Sequence, residues 1–246
     1  MVEVVEKTEV KAEKNKDYIP INLDRDELSR FLGWGLPKNS LMLIEGEDGS
    51  GKSILVQRLA YSFLKNNYSV TYISSELNTI SFIEQMSSLN YDVKKYLLDR
   101  KLLFIPVFPI FGNVKFNENF FQDLINNEEI FSKDIIIFDT ISFIFLKKNI
   151  EISKWLDLIR TFKIIASRGK IIILCIDPMH LDKQYITIAR SLSDIYFHLE
   201  IRSLVGEKVR VINIKRFKRP ISTFVQTIPF RVIPNQGLVI EIATLE

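Results

Sequence analysis

Residues 40–53 read SLMLIEGEDGSGKS, and ILVQRLAYSFL (54–64) follows directly. An apolar run, a glycine-rich turn and a helical pattern succeed one another without a break. The turn matches G-x-x-x-x-G-K-[ST] at Gly46, Gly51, Lys52 and Ser53. At average composition this string arises by chance about once in a hundred chains of this length. Its position between a buried strand and a helix is the context that makes it a phosphate-binding loop.

Each residue of the loop has a physical task. Gly46, Gly49 and Gly51 allow backbone conformations and close approaches that a Cβ would block. The loop amides and the helix N-terminus together form a cradle for anionic oxygens. Lys52 supplies a point charge to the β- and γ-phosphates, and Ser53 offers its hydroxyl to Mg²⁺. The candidate nucleotide-binding residues are Gly46, Asp48, Gly49, Ser50, Gly51, Lys52, Ser53 and Ile54.

Outward from the loop, strands and helices alternate. Helix 52–67 carries Leu55, Leu59 and Phe63 at four-residue spacing. Strand 69–74 and helix 79–89 follow, then strand 101–107 and a helical pattern at 120–131 (FFQDLINNEEIF). DIIIFDT (134–140) and KIIILCI (170–176) show no polar alternation, so both belong in a sheet covered on two faces. Helix 152–169 lies between them and ends at Gly169. After Asp194 the pattern alternates, which predicts antiparallel strands appended to a parallel core, with a turn at Gly206. The fold class is α/β, a mostly parallel sheet flanked by helices with an antiparallel C-terminal extension.

Composition sets the outer bounds. The 246 residues are 47% hydrophobic and 26% charged, which suits one large domain over 18–246. Residues 1–17 alternate Glu and Lys with small apolar residues and read as a flexible tail. A net charge of +3 implies no strong field for a polyanion. The single cysteine, Cys175, sits among aliphatic residues and reads as a structural thiol in a reducing interior. No secretory signal and no membrane-spanning run is visible, so a soluble cytoplasmic protein is expected. His180 and His198 have no Cys or His partner at metal-ligand spacing.

Two acidic positions complete the candidate site. An Asp after an apolar strand is expected to hold the metal's water shell. Asp139 is favoured because Thr140 and Ser142 stand beside it; Asp177, which ends the other apolar run, competes. Glu76 follows strand 69–74, where a carboxylate could orient or deprotonate an attacking water. A strand placed beside the phosphate-loop strand would bring it there.

The stretch LDRDELSRFLGWGLPKNSLMLIEGEDGSGKS (23–53) resembles the opening of RecA-superfamily ATPases of the KaiC-like branch. Asn39 stands where that family usually has Gly, a mild change because Asn tolerates the left-handed region. Residues 53–109 (SILVQRLAYSFLKNNYSVTYISSELN onward) resemble, more narrowly, the archaellum accessory ATP-binding proteins, and the likeness extends over most of 20–245. The resemblance implies a RecA-like core that binds ATP and Mg²⁺. It also implies a hexameric ring beneath the archaellum motor, peripheral to the membrane, with the motor ATPase and a membrane-anchored scaffold as partners. By position it makes Lys52 and Ser53 the phosphate and Mg²⁺ ligands, Asp139 the second acid and Glu76 the catalytic glutamate. KaiC itself has two acids in tandem at that last position, whereas Leu77 follows Glu76 here. KaiC-like proteins also donate basic residues to a neighbour's γ-phosphate, and Lys215 and Arg216 in NIKRFKRP (213–220) are the nearest matches.

Three functions follow as expectations. The first is a regulatory ATP-binding subunit with weak or no hydrolysis. The second is an active ATPase that uses Glu76. The third is a recombinase-like DNA-binding protein, disfavoured because segment 177–194 (DPMHLDKQYITIARSLSD) has no glycine and near-balanced charge.

Overall fold

In a computed structural model of the chain, the described residues are 16–24, 26–107, 124–142, 151–204 and 207–241. Residues 1–15 of the expected tail, the first residues of the expected helix 120–131 and the expected turn at Gly206 lie outside them. Within 120–131 the described residues are helical only at 124–126 and form a turn at 128–131.

Among the described residues a nine-stranded sheet organises the fold. In chain order the strands are β3 (Ser40–Gly46), β4 (Val70–Ser74), β5 (Leu102–Pro106), β6 (Ile135–Asp139), β7 (Ile171–Ile176), β8 (Ile195–Leu204), β9 (Glu207–Phe217), β10 (Thr227–Ile233) and β11 (Gly237–Ile240). They lie side by side as β11-β10-β9-β8-β3-β7-β6-β4-β5. A separate ribbon pairs β1 (Tyr18–Pro20) with β2 (Gly35–Pro37), and the short helix α1 (Leu28–Phe31) lies between them in sequence.

Alternation along the central strands splits the core in two. Met42, Ile44, Ile173 and Cys175 face a core shared with Leu55, Leu59 and Phe63 of α2 (Lys52–Lys65) and Phe82 and Met86 of α3 (Thr79–Ser88). Leu41, Leu43, Ile172 and Leu174 face the other, shared with Trp155, Leu158 and Phe162 of α5 (Ile152–Ala166) and Ile186 and Ala189 of α6 (Lys183–Leu192). The short helix α4 (Lys94–Leu98) precedes β5. The two-sided burial expected of DIIIFDT and KIIILCI is therefore met by a helical layer on each face. Cys175 lies in this core, and burial pushes its thiol well above its ordinary range.

Two local expectations change. After a single turn of 3-10 helix (Pro178–His180), segment 177–194 forms α6. That helix supplies the crossover a parallel strand needs, so β8 pairs parallel with β3, Met42 opposite Ile195 and Gly46 opposite Leu199. β8 thus belongs to the parallel core, and the antiparallel extension begins at β9. The strand that leads to Glu76, β4, is not beside β3 either; β7 and β6 lie between them.

Asn39 takes the left-handed conformation, φ 57°, and its side-chain oxygen accepts from the amide of Gly169 at 2.7 Å. The asparagine thus fills the role expected of glycine there and adds a tie to the end of α5. The N-terminal segment is fastened by Arg58 of α2, which is fully buried. Its guanidinium donates to Oδ2 of Asp26 at 3.0 Å and to the carbonyl of Ile21 at 2.7 Å. Removing one partner of such a pair strands a charge in the core. Asp26→Ala should therefore lower unfolding free energy by about 3–5 kcal/mol in urea denaturation.

Candidate functional site

The phosphate loop leaves β3 at Gly46 and enters α2 at Lys52. A Cβ on Gly46 would lie 2.5 Å from the Ser50 hydroxyl and 2.6 Å from the Leu199 carbonyl. Gly51 has φ +96° and lies under the Phe230 ring, 2.7 Å from where a Cβ would be. Glycine is required at both positions, at the first for space and at the second for conformation as well.

Lys52 is buried beneath the loop it follows. Its ammonium donates to the carbonyls of Gly46 (2.7 Å) and Glu47 (2.8 Å) and reaches Oδ2 of Asp177 at 3.4 Å. The two competing aspartates are thereby separated. Asp177 engages the lysine and turns the chain after β7, where its Oδ1 accepts from the Met179 amide at 2.9 Å. Asp139 engages the serine: Ser53 Oγ donates to its Oδ1 at 2.9 Å.

Asp139 ends β6 and is buried. Burial pushes its carboxyl up to about 6. The Tyr72 hydrogen bond opposes that rise, nearby Glu76 adds to it, and Ser53 and Lys52 oppose it. The backbone after it is fixed by Ser75, whose hydroxyl donates to the carbonyls of Asp139 (3.2 Å) and Thr140 (3.0 Å). Thr140 itself has φ 61°, a conformation that a β-branched residue rarely adopts and that is found at functional sites.

Glu76 is exposed and lines the same cleft, of about 190 Å³, as Asp48, Gly49, Gly51, Lys52, Ser53, Ile54 and Thr140. It gets there although two strands intervene, because all the parallel strands release their chain at the same edge. The Ser74 hydroxyl accepts from the Leu77 amide at 3.0 Å and shapes the turn that presents it. Leu77 points the other way and packs against the α2-side core. Ser50 is buried at the base of the loop.

Two basic residues are placed away from this cleft. Lys215 is exposed on β9. Arg216 donates to the carbonyls of Ser193, at 3.0 Å, and Arg190, and so closes the C-terminal end of α6. One cleft residue that sequence reasoning passed over is Arg210. From β9 its Nε donates to the Gly49 carbonyl at 2.9 Å, and its side chain lines the cleft. Its only sequence signal is a charge between Val209 and Val211, both buried.

The donor set suits a hard cation. Ser53 spends its proton on Asp139, which leaves its lone pairs for another partner. The described residues contain no cluster of three or more metal-ligating side chains. A Mg²⁺ here would thus complete its shell with phosphate oxygens and water, as is usual for this ion. No helix among the described residues is long and apolar enough to cross a membrane.

Comparison with known proteins gives the family and the fold. A family model described as "ATPase: KaiC" matches residues 26–244. The archaeal flagellar ATP-binding protein FlaH of Methanocaldococcus jannaschii is 39% identical over 225 residues, 92% of this chain and 96% of that protein. Its counterpart in Methanococcus voltae is 37% identical over 228 residues, 93% of this chain and 99% of that one. The crystal structure of the flagellar accessory protein FlaH from M. jannaschii superposes with a TM-score of 0.85 at 38% identity, covering 92% of this chain and 100% of that one. A KaiC-like protein from Pyrococcus horikoshii shares the fold at a TM-score of 0.70 and 19% identity, covering 90% of this chain and 98% of that one. The chain belongs to the FlaH family of archaeal flagellar ATP-binding proteins, built on the KaiC-type ATPase fold.

Proposed function

We propose that the chain is an ATP-binding regulatory subunit of the archaellum motor, in which nucleotide occupancy controls assembly and hydrolysis is weak or absent. One observation carries this reading. Gly51, Lys52 and Ser53 line one cleft, with Gly46 at the start of the loop and Asp139 tied to Ser53 beneath it, while the position after Glu76 is a leucine packed against the core. ATP would lie along the loop with its phosphates at Lys52. Mg²⁺ would be held by Ser53 and, through water, by Asp139; it would neutralise phosphate charge. Asp48, Gly49, Ser50 and Ile54 belong to the same binding surface.

The relatives named as archaeal flagellar ATP-binding proteins support placement at the motor. In this proposal the chain works in the cytoplasm as a hexameric ring on the motor ATPase and its membrane-anchored scaffold. Lys215 is the exposed basic residue available to a neighbouring copy, whereas Arg216 would first have to leave the α6 carbonyls. Coupling of this kind requires ATP to bind one assembly state better than another.

A second reading has one observation in its favour: Glu76 lines the cleft that holds Lys52 and Ser53. There it could orient a water for attack on the terminal phosphate.

Two experiments decide between them. Lys52→Ala removes charge-assisted hydrogen bonds worth about 1.5–3 kcal/mol each. ATP affinity by calorimetry should drop roughly 10- to 150-fold, and the ATP-dependent rise in assembly mass should vanish. Unchanged binding would refute the site. In the second experiment, phosphate release is measured beside oligomer mass. The regulatory reading expects ATP-dependent assembly in wild type and Glu76→Gln alike; steady turnover abolished by Glu76→Gln would establish the enzyme instead.

A further inference from the structure

Tyr72 stands in the middle of β4 and is fully buried. Its ring packs against Phe82 and Phe104, with centroids 4.9 Å and 6.0 Å away. Phenylalanine would satisfy that packing. A phenol in the same place must find a polar partner, and this one finds Asp139. Its hydroxyl donates to Oδ2 at 2.6 Å, and the Gln57 amide lies beside the phenol oxygen. The other carboxylate oxygen, Oδ1, accepts from Ser53 at 2.9 Å.

Both oxygens of Asp139 are therefore tied, one from β4 and one from the start of α2. The tie to Ser53 has a direction: the hydroxyl gives its proton to Asp139, so its lone pairs are left for a cation. That direction holds only while the carboxylate keeps its orientation. Without the phenol, Oδ2 is buried and unpaired, and the carboxylate gains by rotating towards any other donor in reach.

We propose that Tyr72 is a positioning residue for the divalent cation bound with the nucleotide: by holding Oδ2 of Asp139 it keeps Oδ1 on the Ser53 hydroxyl, lone pairs towards the cleft. Hydrogen bonds behind a metal site commonly set ligand orientation in this way. The inference rests on the ATP and Mg²⁺ reading of the same site. A purely structural tyrosine would behave differently: its loss would weaken the fold, or nucleotide binding at every Mg²⁺ concentration.

The test is a Mg²⁺ titration of the full chain with a fluorescent ATP analogue, in wild type, Tyr72→Phe and Ser53→Ala. The phenylalanine keeps the ring packing. In Tyr72→Phe the Mg²⁺ needed for half-maximal retention should rise about 10- to 100-fold, with affinity in EDTA unchanged, and Ser53→Ala should shift the same way. An unshifted Mg²⁺ requirement in Tyr72→Phe overturns the inference, as does a loss of affinity that is equal with and without Mg²⁺. If Tyr72→Phe does not fold, 3-fluorotyrosine at position 72 replaces it. Its fluorine resonance should move when Mg²⁺ joins the bound nucleotide; a resonance that stays put overturns the inference too. Failure of wild type to retain the analogue sinks the ATP reading itself, and the inference with it. A normal wild type beside an unshifted Tyr72→Phe sinks only the inference.

Discussion

Strand β3 has no solvent face. All seven residues from Ser40 to Gly46 are buried, with helices packed on each side of the sheet. From this constraint the site follows. A strand buried on both faces has no room for polar side chains along its length, so polar groups collect where the parallel strands end. Gly46, Ser74, Asp139 and Ile176 are those ends, and the loops that leave them carry Lys52, Glu76, Thr140 and Asp177. The one carboxylate inside β3, Glu45, is the exception that shows what burial demands. Burial pushes its carboxyl up, but hydrogen bonds from Arg190 at 2.7 Å and Tyr196 at 2.9 Å outweigh that and hold it below the usual range.

Asp139 meets the same demand with a different outcome. It has only hydroxyl donors, from Ser53, Tyr72 and, at 3.5 Å, Thr140, where Glu45 has a guanidinium, and Glu76 stands close enough to oppose its charge. Neutral donors are weaker than charged ones, so burial prevails and the carboxyl sits at about 6. A cation beside it would reverse that balance, because an opposite charge favours the ionised form. The charge of Lys52 alone does not offset the burial of Asp139, so a bound cation would be favoured there. Lys52 points the same way: its ammonium is held by two carbonyls and the Asp177 carboxylate, all acceptors that phosphate oxygens can replace in kind.

What the sequence made legible is what short spacing determines. Gly46, Gly51, Lys52 and Ser53 lie within eight consecutive residues, and the uninterrupted apolar runs before Asp139 and Asp177 mark central strands. What it hid is set by pairing across long separations. Tyr72 reads as one more aromatic in a strand, because its partner lies 67 positions away. Arg210 reads as a surface charge until β9 is laid over the phosphate loop, 161 positions from Gly49. The parallel course of β8 depends on α6, and α6 was masked by a segment that lacks glycine but begins with Asp-Pro. Glu76 reaches the cleft by a route other than the adjacency expected: β4 lies three strands from β3, yet both open on the same edge.

The choice between fuel and signal narrows to the turn after β4. Ser74 ties the amide of Leu77, so the turn offers one side chain to the cleft and sends the next towards the α2-side core. A carboxylate at 77 would have to give up that packing and enter water or the cleft, where it would raise the cost of ionising Asp139 further. With leucine there, Glu76 is the only carboxylate that this turn presents to the cleft. A single exposed carboxylate, free to be solvated, holds a water less firmly than a pair that restrain one another. The groups proposed to bind are held more firmly: Lys52 is buried and donates to two carbonyls, and Ser53 is tied to the buried Asp139. Lys52, Ser53 and Asp139 are tied where the molecule would hold a nucleotide, and Glu76 is exposed where it would cleave one; that asymmetry favours ATP as an occupant over ATP as a fuel.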